Sequence, residues 1–354
     1  MVSPAGPGPM TAEEPLTTKE GWRRFADRQT AMPELPGADA LARMTARERE
    51  EHDEARQGYH ADLPLVNTPV IQRVVATTRL LIQLNRHQVS ARRGVIVSGP
   101  SATGKTTALT QLGRTHERHI RNRHPEDDFR LPVIYVTVPP AATARMLAME
   151  FARFLGLQFA GRVNLTDIVD AVCVTAARTR TELVCVDELH NLNLATRAGA
   201  EVSDQLKYFA ERLPATFIYA GIDVESAGLF AGTRGRQIAG RFTVVPATPF
   251  ACGTGVQREQ WRALIATMDS ALRLHHHQPG SLVVLAEYLY RRSGGMIGSL
   301  SQLIRGAAIL AIEDGSEQIT RDLLEAVPVD YAAERGATAR TAAGLRCPGQ
   351  REPG

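Results

Sequence analysis

Short apolar runs alternate with amphipathic stretches between residues 68 and 247. Five of these runs, rich in β-branched residues, predict buried strands at 94–99, 131–138, 182–188, 215–221 and 241–247. In the intervening stretches apolar side chains recur every three or four residues, which predicts helices. Because strands that alternate with helices pair in parallel, we expect an α/β three-layer sandwich around a parallel five-stranded sheet.

The strand pattern stops after residue 250. Three amphipathic stretches and a shorter fourth predict a small all-helical domain there, called the lid below. Residues 1–38, rich in Pro, Gly, Ala and charge, are typical of disorder, and residues 40–60 predict a solvated helix. The expected organisation is a disordered, charged N-terminal arm over 1–58, an α/β core over 59–250, the lid over 251–330 and a disordered tail over 331–354.

Composition narrows the class of protein only slightly. With 354 residues, of which 44% are hydrophobic, the chain is long enough for one large or two moderate domains. The formal net charge is only +3, so any affinity for nucleic acid must come from a local patch. Four scattered cysteines and the lack of a signal peptide or an apolar span predict a cytoplasmic protein without a membrane partner.

One loop carries the clearest chemistry. "GPSATGKT" (99–106) matches the pattern G-x-x-x-x-G-K-[ST], with a predicted strand before it and a helix after it. Such a loop wraps its backbone amides around phosphate oxygens, and the helix N-terminus adds partial positive charge. We expect Lys105 to reach the β- and γ-phosphates of ATP and the Thr106 hydroxyl to coordinate Mg²⁺. The predicted nucleotide-binding residues are Gly99, Pro100, Ser101, Ala102, Thr103, Gly104, Lys105, Thr106 and Thr107.

A pair of acids completes the predicted site. In "LVCVDE" four apolar residues place Asp187 at the carboxyl end of a buried strand, where it can anchor Mg²⁺ while Glu188 polarises the attacking water. Alone, two acids after a strand are as often loop solvation. One predicted strand separates the loop from the acids, which suits ATPases with an inserted strand and argues against nucleoside kinases and GTPases. The expected reaction is hydrolysis of ATP to ADP and phosphate.

These residues resemble the TniB/TnsC-like group of AAA+ ATPases of DNA transposition. The resemblance covers roughly residues 59–326. The stretches that carry it are "YHADLPLVNTPVIQRVVATTRLL", "GPSATGKTT", "YVTVPPAATARMLAMEFARFLG" and "VCVDELHNL", the last followed by "GRQIAGRF" and "GGMIGSLSQLIRGAAILAI". The loop and the acids alone specify only an ATPase, whereas "VTVPP" followed by "RMLAMEFARFLG" is more particular to the transposition group.

The resemblance implies partners as well as an activity. It implies a homo-oligomeric ring or filament that binds ATP, lies on double-stranded DNA and recruits a DDE-type transposase, whose contact stimulates slow hydrolysis. Arg241 matches the arginine that reaches the ATP of the neighbouring subunit, with catalytic effect, and Arg236 is its rival. Either arginine could instead be solvated at a helix end.

The sequence departs from the wider AAA+ pattern in two places. Many lids carry an arginine three residues after a glycine, but Gly298 stands there after Gly295, so we expect no sensor arginine from the lid. The fourth strand usually ends in a polar residue that touches the γ-phosphate. Asp223 is the candidate here, with capping of the loop as an equal alternative.

Two sets of residues are candidates for DNA contact. By resemblance, Thr143 and Arg145 match a loop that touches the sugar-phosphate backbone inside the ring, a contact that is sequence-independent and sensitive to salt. Thr143 is also suited to cap the following helix. On the helix after the phosphate loop, Arg114, Arg118 and Arg121 share one face, which predicts either a phosphate-contacting stripe or a solvated surface.

Two other functions stay open at this point. A replication initiator or helicase loader usually adds a winged-helix domain after the lid, and only residues 331–354 follow here. A nucleotide-gated signalling switch usually adds a long repeat or effector region. We therefore expect the transposition role, with these two as the alternatives.

Overall fold

The computed structural model describes residues 14–63, 66–159, 161–192, 197–224 and 240–329. The strands are β1 (Gly94–Ser98), β2 (Val133–Thr137), β3 (Leu183–Asp187), β4 (Thr216–Gly221) and β5 (Phe242–Pro246). The helices before β4 are α1 (Lys19–Asp27), α2 (Ala38–Arg43), α3 (Ala46–Ala61), α4 (Pro69–Asn85), α5 (Lys105–Arg123), α6 (Ala144–Phe154), α7 (Leu165–Arg178) and α8 (Arg197–Arg212). After β5 follow α9 (Gly255–Ser270), α10 (Ser281–Val284), α11 (Ala286–Ser293), α12 (Ile297–Glu313) and α13 (Arg321–Ala326).

The five strands form one parallel sheet in the order β2-β3-β4-β1-β5. Strands β1, β3 and β4 are buried along their whole length, which explains their continuous apolar sequences. Strand β5 is an exposed edge and ends in Pro246, a residue that lacks the amide hydrogen needed inside a sheet. The predicted α/β class, with a parallel five-stranded sheet followed by a helical part, is confirmed.

The chain divides into two compact units. The first contains the N-terminal residues to Arg28, Arg73–Gly99 and Lys105–Pro246, and so holds the whole sheet. The second contains Gln29–Gln72, Pro100–Gly104 and the chain from Ala247 onward. Residues before the predicted lid thus belong to the helical unit, which differs from the boundaries expected from the sequence.

Helix α1 is a folded part of the first unit, whereas the sequence predicts a disordered arm there. The Trp22 side chain is fully buried and stacks on the Tyr135 ring of β2, with 5.5 Å between ring centroids. Gly113 of α5 permits this packing, because a Cβ at that position would lie 2.6 Å from the Trp22 ring. Trp22 is the fully buried aromatic side chain of α1. A single buried aromatic residue makes no apolar period that is detectable in the sequence. Residues 1–13 lie outside the described residues.

Two arginines of the predicted DNA-binding stripe hold α1 in place. Arg114 donates hydrogen bonds to the backbone carbonyls of Ala26 and Arg28. Arg121 Nη1 donates to Asp27 Oδ1 at 2.8 Å. These contacts join α5 to α1, so the structure gives this face a role in packing.

Helix α3 packs within the second unit rather than lying solvated. Tyr59 and Leu63 belong to the apolar cluster formed mainly by Trp261 and the side chains of α9 to α13. Arg56 is fully buried and donates to both carboxylate oxygens of Glu317, at 2.6 and 2.7 Å. A buried guanidinium is stable only when it is paired in this way, and the partner lies 261 residues away along the chain.

At the start of α12 the backbone approaches the phosphate loop. The Gly298 amide donates a hydrogen bond of 2.9 Å to the Ala102 carbonyl. A Cβ at Gly298 would lie 3.1 Å from both Cβ and O of Ala102.

Among the described residues no single helix has the length and apolar character of a membrane span, although α11 and α12, bent by 120°, meet that measure when they are taken together.

The buried carboxyl of Glu117 generates a prediction about stability and pH. Burial on α5 raises the pKa of Glu117 from 4.5 to about 7, against the lowering effect of Arg121. Below pH 4.5 the carboxyl is protonated in both the folded and the unfolded protein. As the pH rises through 7 the carboxyl ionises in the folded protein too, which must then bury a charge, and the free energy of unfolding falls. Glu117→Gln should therefore raise the free energy of unfolding by up to about 3 kcal/mol above the folded pKa.

Chemical denaturation across the pH range measures this effect. The gain from Glu117→Gln should shrink steadily as the pH falls from 7 to 4.5. A gain that is independent of pH would contradict a protonated, buried Glu117.

Candidate functional site

The predicted site residues of the first unit gather at one edge of the sheet. Lys105 begins α5, the helix that follows β1 and its loop, while Asp187 ends β3 and Asp223 follows the end of β4. In a parallel sheet the carboxyl ends of all strands meet at the same edge, where ligands of such sheets bind. Lys105 and the acids, far apart in sequence, are therefore brought to one edge of the sheet by the strand order.

The phosphate loop has the backbone of an anion-binding turn. Ala102 and Gly104 have positive φ angles of 61° and 86°, the left-handed conformation that turns successive amides to one side. The Thr103 hydroxyl donates to the Pro100 carbonyl at 2.8 Å and so braces the loop internally. The Thr106 hydroxyl group lies on an exposed residue in the first turn of α5, where a ligand can reach it.

The charges of Asp187, Glu188 and Asp223 all act on the ammonium group of Lys105. Burial lowers the pKa of Lys105, while the negative charges of Asp187, Glu188 and Asp223 act in the opposite direction. The structure thus brings together the cation and the three carboxylates that the sequence analysis selected from separate stretches. Roles for these four side chains remain predictions.

Asp187 is a buried carboxylate with defined partners. Its Oδ2 accepts a hydrogen bond of 3.0 Å from the Tyr135 hydroxyl, and its Oδ1 accepts one of 2.8 Å from the Glu188 amide. Burial, and then the charge of Asp187, raise the pKa of Tyr135, so its phenol stays protonated and donates. The carboxylate is therefore oriented before any ligand binds, and hard oxygen ligands of this type suit Mg²⁺.

His190 is the residue of this site that the sequence analysis missed. Its Nε2 lies 3.1 Å from Glu188 Oε2, and its Nδ1 lies 3.4 Å from the Ile222 amide. Because the amide can only donate, we assign Nδ1 as the acceptor and Nε2–H as the donor to Glu188. The signal was present in the sequence as a histidine two residues after the acid in "DELHN".

The short 3₁₀ turn Leu189–Asn191 fixes this imidazole in place. Asn191 Nδ2 donates to the Val138 carbonyl at 2.8 Å, which ties the turn to the end of β2. On the other side Gly221 leaves room for it, since a Cβ there would lie 3.1 Å from the His190 amide nitrogen. One imidazole therefore links Glu188 to the end of β4, next to Asp223.

Arg241 lies where the strands of the sheet begin, at the amino edge opposite the carboxyl edge that carries Lys105. It precedes β5, its backbone carbonyl accepts from the Gly94 amide, and its Nη1 is 3.2 Å from Glu211 Oε1. A five-residue strand separates the two edges by about 17 Å. The Lys105 site of the same chain is thus not completed by Arg241, and the rival Arg236 lies outside the described residues.

The two predicted DNA-contacting residues are exposed at the start of α6. Thr143 Oγ1 accepts a hydrogen bond of 3.2 Å from the Met146 amide, so the threonine caps the helix. Arg145 Nη1 donates to the Val163 carbonyl at 2.6 Å. Both side chains are accessible to a partner.

Comparison with known proteins bears on this arrangement. The family model described as "Bacterial TniB protein" matches residues 65–251. No curated protein sequence matches the chain. Among solved structures, the ORC1 protein of Aeropyrum pernix, in complex with DNA, is similar with a TM-score of 0.55 and 16% identity, over 81% of this chain and 69% of that one.

Two further structures share the fold. The ORC2 protein of Aeropyrum pernix in its ADP form has a TM-score of 0.53 and 16% identity, over 75% of this chain and 67% of that one. Cdc6p of Pyrobaculum aerophilum has a TM-score of 0.51 and 13% identity, over 83% and 86%. At these identities the likeness shows the fold alone, a parallel α/β sheet followed by a helical part.

The imidazole link generates a prediction about turnover. His190→Ala removes the donor that orients Glu188, so nucleoside-triphosphate hydrolysis should fall roughly 10–100-fold while nucleotide affinity stays unchanged. Steady-state hydrolysis and nucleotide titration separate these two quantities. The control is His87→Ala, at an exposed histidine in the segment between α4 and β1. Equal loss of affinity and rate, or no loss at all, would argue against a positioning role for His190.

Proposed function

The chain belongs to the TniB family, and on that premise we propose that it is an ATPase that binds ATP and Mg²⁺, oligomerises on double-stranded DNA and recruits a DDE-type transposase. The observation that carries the ATPase part is the gathering of Lys105, Asp187 and Glu188 beside the phosphate loop at one edge of the sheet. Family membership supports the role in transposition.

Each residue of the site has a proposed role in hydrolysis. The loop from Gly99 to Thr107 cradles the phosphates, and Lys105 balances charge on the β- and γ-phosphates. Glu188, aimed by His190, accepts a proton from a water whose oxygen attacks the γ-phosphorus, while the bond from that phosphorus to the β-phosphate oxygen breaks and ADP leaves. Asp223 is the candidate that contacts the γ-phosphate. The positions of these side chains at the carboxyl ends of the strands support the proposed steps.

Thr106 and Asp187 are the proposed protein ligands of Mg²⁺, which when bound neutralises phosphate charge. Among the described residues no group of three or more His, Cys, Asp or Glu side chains forms a metal site. This fits Mg²⁺, which is usually held by one or two protein oxygens together with the phosphates. The buried, oriented carboxylate of Asp187 supplies such an oxygen.

Two substitutions test the ATPase proposal. Lys105→Ala should weaken binding of ATP at least about tenfold, because it removes a charge-assisted contact. Glu188→Gln should keep ATP binding and lower turnover by about 10²–10⁴-fold, because the amide no longer polarises water. Nucleotide titration and phosphate release measure the two effects. Normal hydrolysis by the Glu188→Gln protein would sink the assignment.

The position of Arg241 supports a site shared between copies of the chain. Its guanidinium lies at the amino edge of the sheet, paired with Glu211, while the phosphate loop lies at the carboxyl edge. Stacking two copies edge to edge would bring one arginine to the phosphates of the next. An arginine supplied in this way stabilises charge on the transferring phosphoryl group.

Mixing of variants tests this arrangement. Arg241→Ala should lower hydrolysis by about 10³-fold or more without loss of ATP affinity, and equal amounts of Arg241→Ala and Lys105→Ala protein should regain part of the activity. The exposed Arg178→Ala, at the end of α7, is the matched control. No regain on mixing, with both variants still oligomeric, would contradict an arginine acting between copies.

DNA contact is proposed at the start of α6. Thr143 and Arg145 are exposed beside the N-terminus of this eleven-residue helix, a favourable place for a phosphate. The similar ORC1 structure is of a complex with DNA, which supports a DNA-binding role for this fold. Such contacts go to the backbone and carry no sequence information.

The salt dependence of DNA binding tests this contact. Arg145→Ala should weaken binding to every duplex by a similar factor and should reduce the slope of log affinity against log salt by about 0.9 for each DNA phosphate that is no longer neutralised. Arg153→Ala lies on the same helix and pairs with Glu150, so it serves as the control. An unchanged slope would place DNA contact elsewhere. Failure to bind any duplex at low salt would favour the signalling-switch alternative.

A further inference from the structure

The amino edge of the sheet in the first unit holds a cavity of about 720 Å³. Its walls come from the ends of α4 and α5 and from the segments that precede β1, β2, β3 and β4. The volume lies within the range of roughly 300–1,000 Å³ that is usual for small-ligand pockets. Because β1 runs between this edge and the phosphate loop, a distance of about 17 Å, the cavity is separate from the Lys105 site.

The lining of this basic cavity is strongly cationic. Its arginines are Arg79, Arg86, Arg92, Arg123 and Arg130. Glu182 is the one carboxylate among its lining residues in the described part of the chain, and three histidines complete the polar lining. With histidines counted as neutral, the cationic side chains exceed the anionic ones by four.

Two of these cations, Arg130 and Arg92, are partly buried. The Arg130 side chain is 11% exposed, and its Nε and Nη1 have no hydrogen-bond partner among the described residues. Its Nε lies 3.9 Å from Asp127 Oδ2, beyond hydrogen-bonding distance. Burial also lowers the pKa of Arg92, whose Nη1 donates only to a backbone carbonyl, that of Leu213. Among the described residues neither guanidinium is hydrogen-bonded to an anion, and the Asp127 carboxylate that faces Arg130 also pairs with Arg180. Burying a guanidinium without such a bond is unfavourable.

The single carboxylate does not balance this charge. Glu182 Oε2 lies 3.3 Å from His116 Nε2, and this close contact with His116 is the main cause that lowers the pKa of Glu182, with Arg130 and Arg86 acting in the same direction. The negative ends of helices α4 and α5 partly offset Arg86 and Arg123. Arg92 and Arg130 precede strands and gain nothing from a helix end.

We propose that the basic cavity binds a phosphate-bearing anion, with Arg79 and Arg123 at its exposed rim and Arg130 at its buried floor. Guanidinium groups from separate segments present forked donors, which match the several oxygens of a phosphate group. The site would be additional to the nucleotide site, and the inference goes beyond the proposed function. A small polyphosphate and the backbone of nucleic acid both carry such a group, and the test below distinguishes the two sources.

Calorimetric titration of the full chain tests the proposal. All proteins carry Lys105→Ala, so that the proposed nucleotide site competes little for the probe. Arg79→Gln/Arg123→Gln removes two exposed rim charges, and Arg153→Gln/Arg178→Gln, which removes two exposed charges outside the cavity lining, is the matched control. The probes are inorganic tripolyphosphate, a short duplex of random sequence and a triglutamate peptide.

The expected result is binding of tripolyphosphate at low salt that weakens at least about tenfold in the double variant and less than twofold in the control. If the double variant weakens binding of the duplex but not of tripolyphosphate, the result would also support the phosphate site. It would then assign the phosphates to nucleic acid. No dependence with either probe, or equal and equally sensitive binding of triglutamate, would overturn the proposal. ATP affinity of the double variant with native Lys105 should stay unchanged, which separates this test from that of the nucleotide site.

Discussion

The buried carboxylate of Asp187 is the interaction on which the candidate site depends. A charge at the end of a buried strand is tolerated only when polar groups surround it, and Tyr135, the Glu188 amide and the nearby Lys105 supply them. Tyr135 in turn is backed by the stacked ring of Trp22. A chain of contacts thus runs from the N-terminal helix α1 through β2 to the residue proposed to hold Mg²⁺.

The two edges of one sheet divide the chemistry of the first unit. The carboxyl edge carries the phosphate loop, Asp187, and Glu188 with its imidazole link to β4. The amino edge carries Arg241 and the basic cavity. The two ends of a five-residue strand are about 17 Å apart. A residue at the amino edge can therefore contact a phosphate at the carboxyl edge only when the two belong to different copies of the chain.

The features that were predictable from the sequence are local ones. The strands are continuous apolar runs, and the phosphate loop is a contiguous motif, so both could be found without knowledge of the fold. The packing of α1 and α3 could not, because it depends on one buried tryptophan and on a pairing of Arg56 with a residue 261 positions away. The links of His190 and Arg241 were hidden for the same reason, since their partners lie on other elements.

A structure of the protein assembled on duplex DNA with a non-hydrolysable ATP analogue and Mg²⁺ tests the central claim most directly. The account predicts that the analogue's phosphates lie in the loop next to Lys105 of one copy, with the Arg241 guanidinium of the neighbouring copy within hydrogen-bonding distance of the γ-phosphate. A γ-phosphate contacted only by residues of the copy that binds it, with Arg241 still paired to Glu211, would contradict the account.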